Sequence, residues 1–384
     1  MIHDVSIVRC EDYIPQQVRA ALTEAIDAIG GLDWVRPGMR IAIKANLVAA
    51  RKPEAAATTH PQVLAQLTAL LIERGAAVVV GDSPGGLYNE AVLRHVYSTA
   101  GMEAVVQAGG ELNLDFEECS AVFSDAVIAR SFTFTAWLQK ADAIINVCKL
   151  KSHGMMSMSA AAKNMFGAIP GTKKPEYHFR FPNLEDFANM IVDLDEYFKP
   201  VLHIADAVVG MEGNGPTQGT PRRMNALLAS ASPHALDLVC AEMLGFEPVE
   251  IPTLAAAQKR GLIPASVDQL SVYGSVNDFL VKDFEKLDVR NDITFKNAAG
   301  GGFAGELFSR FAGRVLSSRP QLTARECIGC GECARICPAK AIVMKEKLPV
   351  IDRQSCIRCF CCQEFCPRGA MKVRRTMIAK ILSR

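Results

Sequence analysis

Apolar positions along the first 300 residues fall into two alternating patterns. Short apolar runs at Val5-Ser6-Ile7-Val8, Arg40-Ile41-Ala42-Ile43-Lys44-Ala45, Ala76-Ala77-Val78-Val79-Val80 and Ala143-Ile144-Ile145-Asn146-Val147 read as strands. The last two are nearly unbroken, as strands covered on both faces require. Between the runs the spacing is helical. Pro15 to Ile29 places Val18, Leu22, Ala25, Ile26 and Ile29 on one face and stops at Gly30-Gly31. Pro61 to Arg74, ended by Gly75, and Leu87 to Ala100, ended by Gly101, repeat that design, with Pro61 at a favoured first-turn position. Val201 to Asp206 reads as a further strand, and helices follow near Pro233–Leu244 and Ile251–Lys259.

Repeated strand–helix units predict an α/β fold with an open, mostly parallel sheet covered by helices. Ligands of such sheets bind where strand carboxyl ends meet helix N-termini. Polar, glycine-rich segments fall at those places: Lys44-Ala45-Asn46-Leu47, Gly81-Asp82-Ser83-Pro84-Gly85-Gly86, Lys149 to Gly154, and Asp206 to Gly219. Thr58-Thr59-His60-Pro61 precedes a helix, where Thr58 or Thr59 caps it or the group contacts a ligand. The Gly81–Gly86 segment is either a tight turn or a cradle of backbone N–H groups for an anion. It matches neither dinucleotide nor Walker spacing, so no nucleotide is implied.

The densest polar segment holds Lys149, Lys151, Ser152, His153, Lys163, Asn164, Lys173 and Lys174, with His178 beyond. So basic a stretch at a strand end suits a carboxylate or phosphate, or else a solvated face. A lysine buried there has a lowered pKa and can serve as base or nucleophile. His153 and Lys163 are the candidate catalytic pair. Asn46, His60, Asp82, Lys149, Lys151, Asn164, His178, Glu212 and Asn214 are candidate ligand contacts. Asp206 and Glu212 are carboxylates for acid–base or metal chemistry, or loop-ordering groups. His203, inside a strand, reads as a core histidine.

The cysteines change the picture most. Residues 327–338 and 356–367 both follow C-x2-C-x2-C-x3-C-P. Three close thiolates wrap one iron–sulfur cubane and the fourth ligates the other. The spacing therefore assigns Cys327, Cys330, Cys333 and Cys366 to one [4Fe–4S] cluster, and Cys356, Cys359, Cys362 and Cys337 to a second. Zinc sites instead pair two C-x2-C arms across a longer loop. Cys361 falls outside the spacing and reads as a spare buried thiol. Cys10, Cys119, Cys148 and Cys240 are scattered, which is no disulfide framework and fits a reduced, cytoplasmic protein.

Length and charge refine this reading. The 384 residues suffice for two or three domains. The expected division is an α/β domain at 1–300, a helical connector at 301–319, a two-cluster ferredoxin domain at 320–375 and a basic tail at 376–384, with Gly300-Gly301-Gly302 as a hinge. No apolar run reaches the length of a membrane span, and the N-terminus lacks signal-peptide features. The net charge is +1, yet residues 320–384 hold 13 Lys and Arg against 5 Asp and Glu. That excess offsets anionic cluster cores. The aromatic interleaving of a nucleic-acid binder is missing, so no nucleic-acid partner is expected.

Taken together, Lys44–Leu47, Thr58–Pro61, Gly81–Pro84, Ile145–His153, Lys163–Gly167 and Gly210–Pro216 resemble the bacterial and archaeal proteins grouped as domain of unknown function 362, which often carry a fused two-cluster ferredoxin. The resemblance implies an iron–sulfur protein. His153, Ser159, Lys163 and Pro170-Gly171, followed by His178, are more loosely similar to a stretch of the nickel-pincer lactate racemases. That likeness implies a proton-handling role for His153, a cofactor tether at Lys163 and nickel ligation by His178. Its spacing to His178 is only approximate, and Thr59-His60-Pro61 is the nearest match to that family's other catalytic histidine. Three functions follow as expectations. The first is an iron–sulfur oxidoreductase delivering low-potential electrons to an anionic ligand or a further cofactor in the α/β domain. The second is a non-enzymatic electron carrier or assembly factor docking a redox partner. The third is a racemase-like enzyme with regulatory clusters.

Overall fold

A computed structural model describes residues 2–287 and 318–374. The Gly300–Gly302 hinge, the tail at 376–384 and nearly all of the 301–319 connector lie outside those residues. The larger part is built on one sheet. Its strands are β1 (Val5–Arg9), β2 (Arg40–Lys44), β3 (Ala77–Gly81), β4 (Glu111–Leu112), β7 (Ala143–His153), β8 (Ser157–Ser159), β9 (Leu202–Glu212), β10 (Thr220–Ser230) and β11 (Val272–Tyr273). The order is β11-β1-β10-β9-β7-β2-β3-β4, with β8 paired to β7. Neighbours from β9 to β4 are parallel, whereas β10 runs antiparallel to both β1 and β9. A separate hairpin, β5 (Glu118–Val122) with β6 (Ser131–Thr135), lies outside this sheet.

Helices cover both faces. One face packs α1 (Pro15–Ala28), α2 (Pro61–Ile72) and α3 (Glu90–Thr99) against Ile43, Val80, Ile145 and Val147. The other packs α8 (Pro233–Met243) and α9 (Pro252–Lys259) against Cys148, Leu150 and Leu228. Neighbouring residues of β7 thus point to opposite cores, as the two-residue strand period demands. Short helices complete the unit: α4 (Glu103–Gln107), α5 (Ala161–Asn164), α6 (Lys174–Arg180) and α7 (Leu184–Phe198).

The largest departure from the sequence reading concerns β7. The apolar run ends near Val147, and Lys149 to Gly154 reads as a loop. The strand instead continues to His153. Its polar residues are accepted inside the protein because β9 pairs alongside and buried partners satisfy them. For the same reason β9 runs past Asp206 to Glu212. At α2 the cap is neither threonine: His60 Nδ1 accepts the Gln62 N–H. Thr59 Oγ donates to Val147 O at 2.9 Å and accepts from Asn46 N–H at 3.0 Å, tying β2 to β7. The helix read from Leu87 starts at Glu90, because Asn89 supplies the cap that Leu87 cannot.

Residues 318–374 form a smaller unit with its own core of Cys333, Ile342, Cys362, Cys366, Ala370 and Met371. Two antiparallel pairs frame it, β12 (Arg319–Leu322) with β15 (Met371–Arg374) and β13 (Ile342–Lys345) with β14 (Leu348–Ile351). One-turn helices α10 (Glu332–Arg335) and α11 (Cys361–Glu364) carry cysteines into its centre. Among the described residues no helix is long and apolar enough to cross a membrane.

Candidate functional site

A cavity of about 50 Å³ lies where the carboxyl ends of β2, β3 and β7 meet α11. Three lysines line it, Lys151, Lys163 and Lys174, and a fourth, Lys44, stands against the lining Asp82. Lys44, at the end of β2, is fully buried and pairs with Asp82 at 2.8 Å. Lys151 donates to Asn46 Oδ1 at 2.8 Å and to Ala57 O at 2.6 Å. Lys174 donates to the Ser83 carbonyl. Lys163 lies 4.9 Å from the Phe166 ring centroid and makes no hydrogen bond among the described residues. Burial lowers the pKa of all four, Lys151 to about 7 and Lys174 to about 8. Two carboxylates, Asp82 and Glu364, stand against them in the wall.

An amide network holds this geometry. Asn164 donates to Asn146 Oδ1 at 2.7 Å, and Asn46 donates to Asn164 Oδ1 at 2.7 Å. Asn146 also donates to Ala161 O at 2.9 Å, and Asp237 accepts the Ala161 and Ala162 N–H groups at 2.6 and 3.1 Å. Helix α5, with Lys163 and Asn164 on it, is therefore anchored at its start.

His153 and His178 complete the wall. Met155 and Met156 donate their N–H groups to His153 Nδ1 at 3.0 and 3.2 Å. The proton of the neutral ring therefore sits on Nε2. Burial, and then Lys163 and Lys151, hold this ring well below its ordinary pKa. His153 Nε2 has no partner among the described residues. His178 stacks on Phe187 at 4.4 Å, its Nδ1 is likewise unpartnered among them, and burial lowers its pKa to about 3. Buried polar atoms are almost always satisfied. His153 Nε2–H is such a buried donor, unpartnered among the described residues, and with the half-buried Lys163 amine on the same wall it is what a small anion would use.

The structure thus brings together Asn46, Asp82, Lys151, His153, Lys163, Asn164 and His178. It places four other candidates elsewhere. Lys149 Nζ is enclosed by Asp206 at 2.6 Å, Val209 O at 2.9 Å and Tyr13 Oη at 3.0 Å. His60 stacks on Tyr13 at 3.5 Å beside that group, and burial lowers its pKa to about 4. Glu212 faces Arg222 and accepts the Glu285 N–H. Asn214 O accepts from Gln363 at 3.1 Å. His203 is buried in β9, with Nδ1 3.0 Å from Asn146 Nδ2.

Sequence reasoning missed the far wall: Cys361, Glu364 and Phe365. They come from the smaller unit, and nothing in their local pattern announces a second surface. The Phe365 ring occupies the space that any side chain at position 85 would take, so Gly85 is required there. Further links fix the approach. Gln363 Nε2 donates to Gly215 O at 3.0 Å, Thr217 Oγ to Glu364 O at 2.9 Å and Gln218 Nε2 to Cys366 O at 3.1 Å.

Cys327, Cys330, Cys333 and Cys366 line one pocket with Ile328, Met344 and Met371. The Cys362 thiol lies within electrostatic reach of Cys359, Cys356 and Cys337. Backbone N–H groups of Gly329, Ala341 and Ala370 donate to the sulfurs of Cys327, Cys337 and Cys366 at 3.4, 3.3 and 3.2 Å. Such bonds stabilise thiolate charge and help set a cluster's potential. Gly329 has φ 69°, and its backbone passes against Lys347, which excludes a larger residue. The donor set, its apolar lining and these amides fit iron–sulfur ligation.

Comparison with known proteins agrees with this architecture. Residues 41–242 match the family model "Domain of unknown function (DUF362)", and residues 326–370 match a 4Fe-4S dicluster domain. A thylakoid-associated protein of Synechocystis sp. is 30% identical over 297 residues, spanning 77% of this chain and 91% of the relative. Solved structures give distant likenesses. The lactate racemase apoprotein of Thermoanaerobacterium thermosaccharolyticum matches with TM-score 0.40 and 11% identity, over 63% of this chain and 57% of that one. A Thermotoga maritima protein matches with TM-score 0.37 and 12% identity, over 57% and 56% of the two chains. The chain is an iron–sulfur protein with an electron-transfer domain, and it belongs to the domain of unknown function 362 family.

Proposed function

We propose that the protein is an iron–sulfur oxidoreductase whose lysine cavity holds the carboxylate or phosphate group of a small substrate for reduction. One observation carries this reading: α11 is a wall shared by both sites. Cys362 lies on it and Cys359 and Cys366 flank it, while Cys361, Glu364 and Phe365 line the cavity. When bound, two [4Fe–4S] clusters supply single electrons at low potential.

The residues of the cavity do the rest. Lys151 and Lys174 neutralise the ligand's charge from positions that Asn46 and Ser83 fix. Asp82 pairs with Lys44 beside them at 2.8 Å and opposes the effect of burial on its charge. His153 Nε2–H points a proton at the ligand, with Nδ1 held as acceptor by two amides. Lys163 carries the transferable proton, made easier to release by burial and by neighbouring Lys44, while the neutral His153 ring contributes a hydrogen bond. Phe365 and Phe166 limit water access.

The test begins with anaerobic reconstitution and assay for about eight iron and eight sulfide per chain. Acetate, pyruvate and inorganic phosphate are then titrated by calorimetry into wild-type protein and into Lys163→Ala and His153→Gln. Binding that weakens about tenfold or more in either variant, with iron content intact, supports the reading. Failure of all three anions to bind at millimolar concentration sinks it.

A further inference from the structure

The two cysteine loops of the smaller unit are built alike and face different surroundings. At equal distances from the first cysteine of each stand Gly329 and Arg358, Gly331 and Phe360, and Glu332 and Cys361. The first four of these residues are left-handed, with φ 69°, 59°, 76° and 61° in that order. Glycine adopts this region freely, whereas phenylalanine is strained there. Phe360 is held in it because its ring is buried in a core of the larger unit that includes Met156 and Phe187. The second loop is thereby pinned against the lysine cavity. The first loop faces solvent: Cys330 is exposed, and Ile328 keeps 61% of its surface.

The third pair differs in chemistry. Glu332 pairs with Arg335 at the surface. Cys361 is buried and lines the lysine cavity. Its thiol and its backbone N–H both donate to the sulfur of Cys359, which the cysteine spacing assigns to the second cluster. Glu364, at the other end of α11, stands between the same two places. It lies within electrostatic reach of Lys151, Lys163 and Lys174 on one side and of Cys359 on the other. Hydrogen bonds to a ligating sulfur and nearby positive charge stabilise a cluster that has gained an electron, and so raise its potential. Nearby negative charge does the reverse.

We propose that the lysine cavity sets the potential of the second cluster and leaves that of the first unmoved. Cys361 acts through its hydrogen bonds to Cys359, and Lys163 and Glu364 act through their charge. Cys361 is thus a positioning residue for the cluster. An anion held among the lysines lowers the second potential, and by reciprocity reduction of that cluster weakens the anion's binding by the same factor. A tenfold factor corresponds to about 59 mV for a one-electron couple. The second cluster therefore becomes the stronger donor when an acceptor occupies the cavity. This coupling takes its ligand from the proposed function, while the influence of Cys361, Lys163 and Glu364 on one cluster is measurable with the cavity empty.

The experiment is a redox titration of full-length, cluster-loaded protein followed by electron paramagnetic resonance, with iron and sulfide assayed in every variant. Ile328→Lys adds a positive charge beside Cys327 and should raise one reduction step alone, which identifies the first cluster. In the other step, Cys361→Ala should shift the one-electron equilibrium against reduction about tenfold, or about 59 mV. Cys361→Ser keeps a donor and should fall between that variant and wild type. Lys163→Met should lower the same step and Glu364→Gln should raise it. Acetate, pyruvate or inorganic phosphate, whichever binds by calorimetry, should lower it in wild type and bind more weakly to reduced protein.

A second step that stays in place in Cys361→Ala, Lys163→Met and Glu364→Gln overturns the proposal. So do shifts of equal size in both steps, or an anion that binds without displacing the second. Should Cys361→Ala fail to take up iron, Cys361→Ser and the opposite signs expected of Lys163→Met and Glu364→Gln decide the matter. The two proposals fail separately. An anion that binds while neither step moves leaves the proposed function standing and removes this coupling. Three anions that do not bind, with the variants still moving the second step alone, remove the proposed ligand and leave the coupling.

Discussion

Lys149 and Lys151 are two residues apart on one strand, both fully buried, and their surroundings have opposite character. Lys149 sits in a closed clamp. Asp206, Tyr13 and the Val209 carbonyl take its donors, while Asp206 also accepts the His60 N–H at 2.9 Å. Lys151 opens on a cavity where Lys163 and His153 Nε2–H are unspent among the described residues. Burial, charge and a displaced pKa are common to both places. Unused hydrogen-bonding capacity is what separates a ligand site from a strut.

The contrast breaks most sharply by deletion. Lys149→Met leaves Asp206 buried without its cation and should destabilise by about 3–5 kcal/mol, read by denaturant unfolding. Lys163→Met removes an amine that makes no hydrogen bond among the described residues and only a ring contact with Phe166, so stability should change by less than about 1 kcal/mol or rise, while anion affinity falls. Equal losses of stability in the two variants would erase the distinction between clamp and cavity.

Proton linkage gives a finer test. Lys151, held to about 7 in the folded protein, stays protonated in the unfolded chain up to its ordinary value of 10.5. Between these values the unfolded state binds more protons. The anion-free protein should therefore gain stability as pH rises from about 7 to 10, with a slope of at most about 1.4 kcal/mol per pH unit from this one group. The unfavourable contribution is fully present below about 7. Anion binding should run the other way, weakening above pH 7–8 as Lys151 and Lys174 lose their protons. Thermal melts and calorimetry over this range check both signs. A Lys151→Met variant should lose its own share of the first slope and keep that of Lys174, whose pKa is lowered to about 8.

The smallest effects concern the contact that joins the two sites. Gln363→Ala removes bonds to the Asn214 and Gly215 carbonyls and should cost about 1 kcal/mol of that contact, seen as faster amide exchange around Asn214. Iron content should be unchanged, because Gln363 ligates nothing.

Much of the fold is legible in the order of residues. Alternating strand and helix patterns predict the covered parallel sheet, since buried parallel strands need unbroken apolar runs. The paired cysteine spacings predict which thiols meet. In the site itself, Asn46, Asp82, Lys151, His153, Lys163, Asn164 and His178 are readable as polar residues at strand ends. Lys149 carries the same signal and goes elsewhere, because strand alternation cannot say whether a partner such as Asp206 waits across the sheet. The reading of Lys149–Gly154 as a loop fails for a related reason. Polarity suggests solvent, and only the neighbouring β9 and the buried amides make a polar strand interior tolerable.

Residue order alone settles the local matters: the alternating elements, the thiol spacing and the excess of positive charge near residues 320–384. These depend on neighbours along the chain. Tertiary structure settles the rest: which lysine Asp206 clamps and which opens on the cavity, and that α11 walls both sites. Those are questions of which groups desolvate one another, and desolvation is set by contacts between residues far apart in the chain.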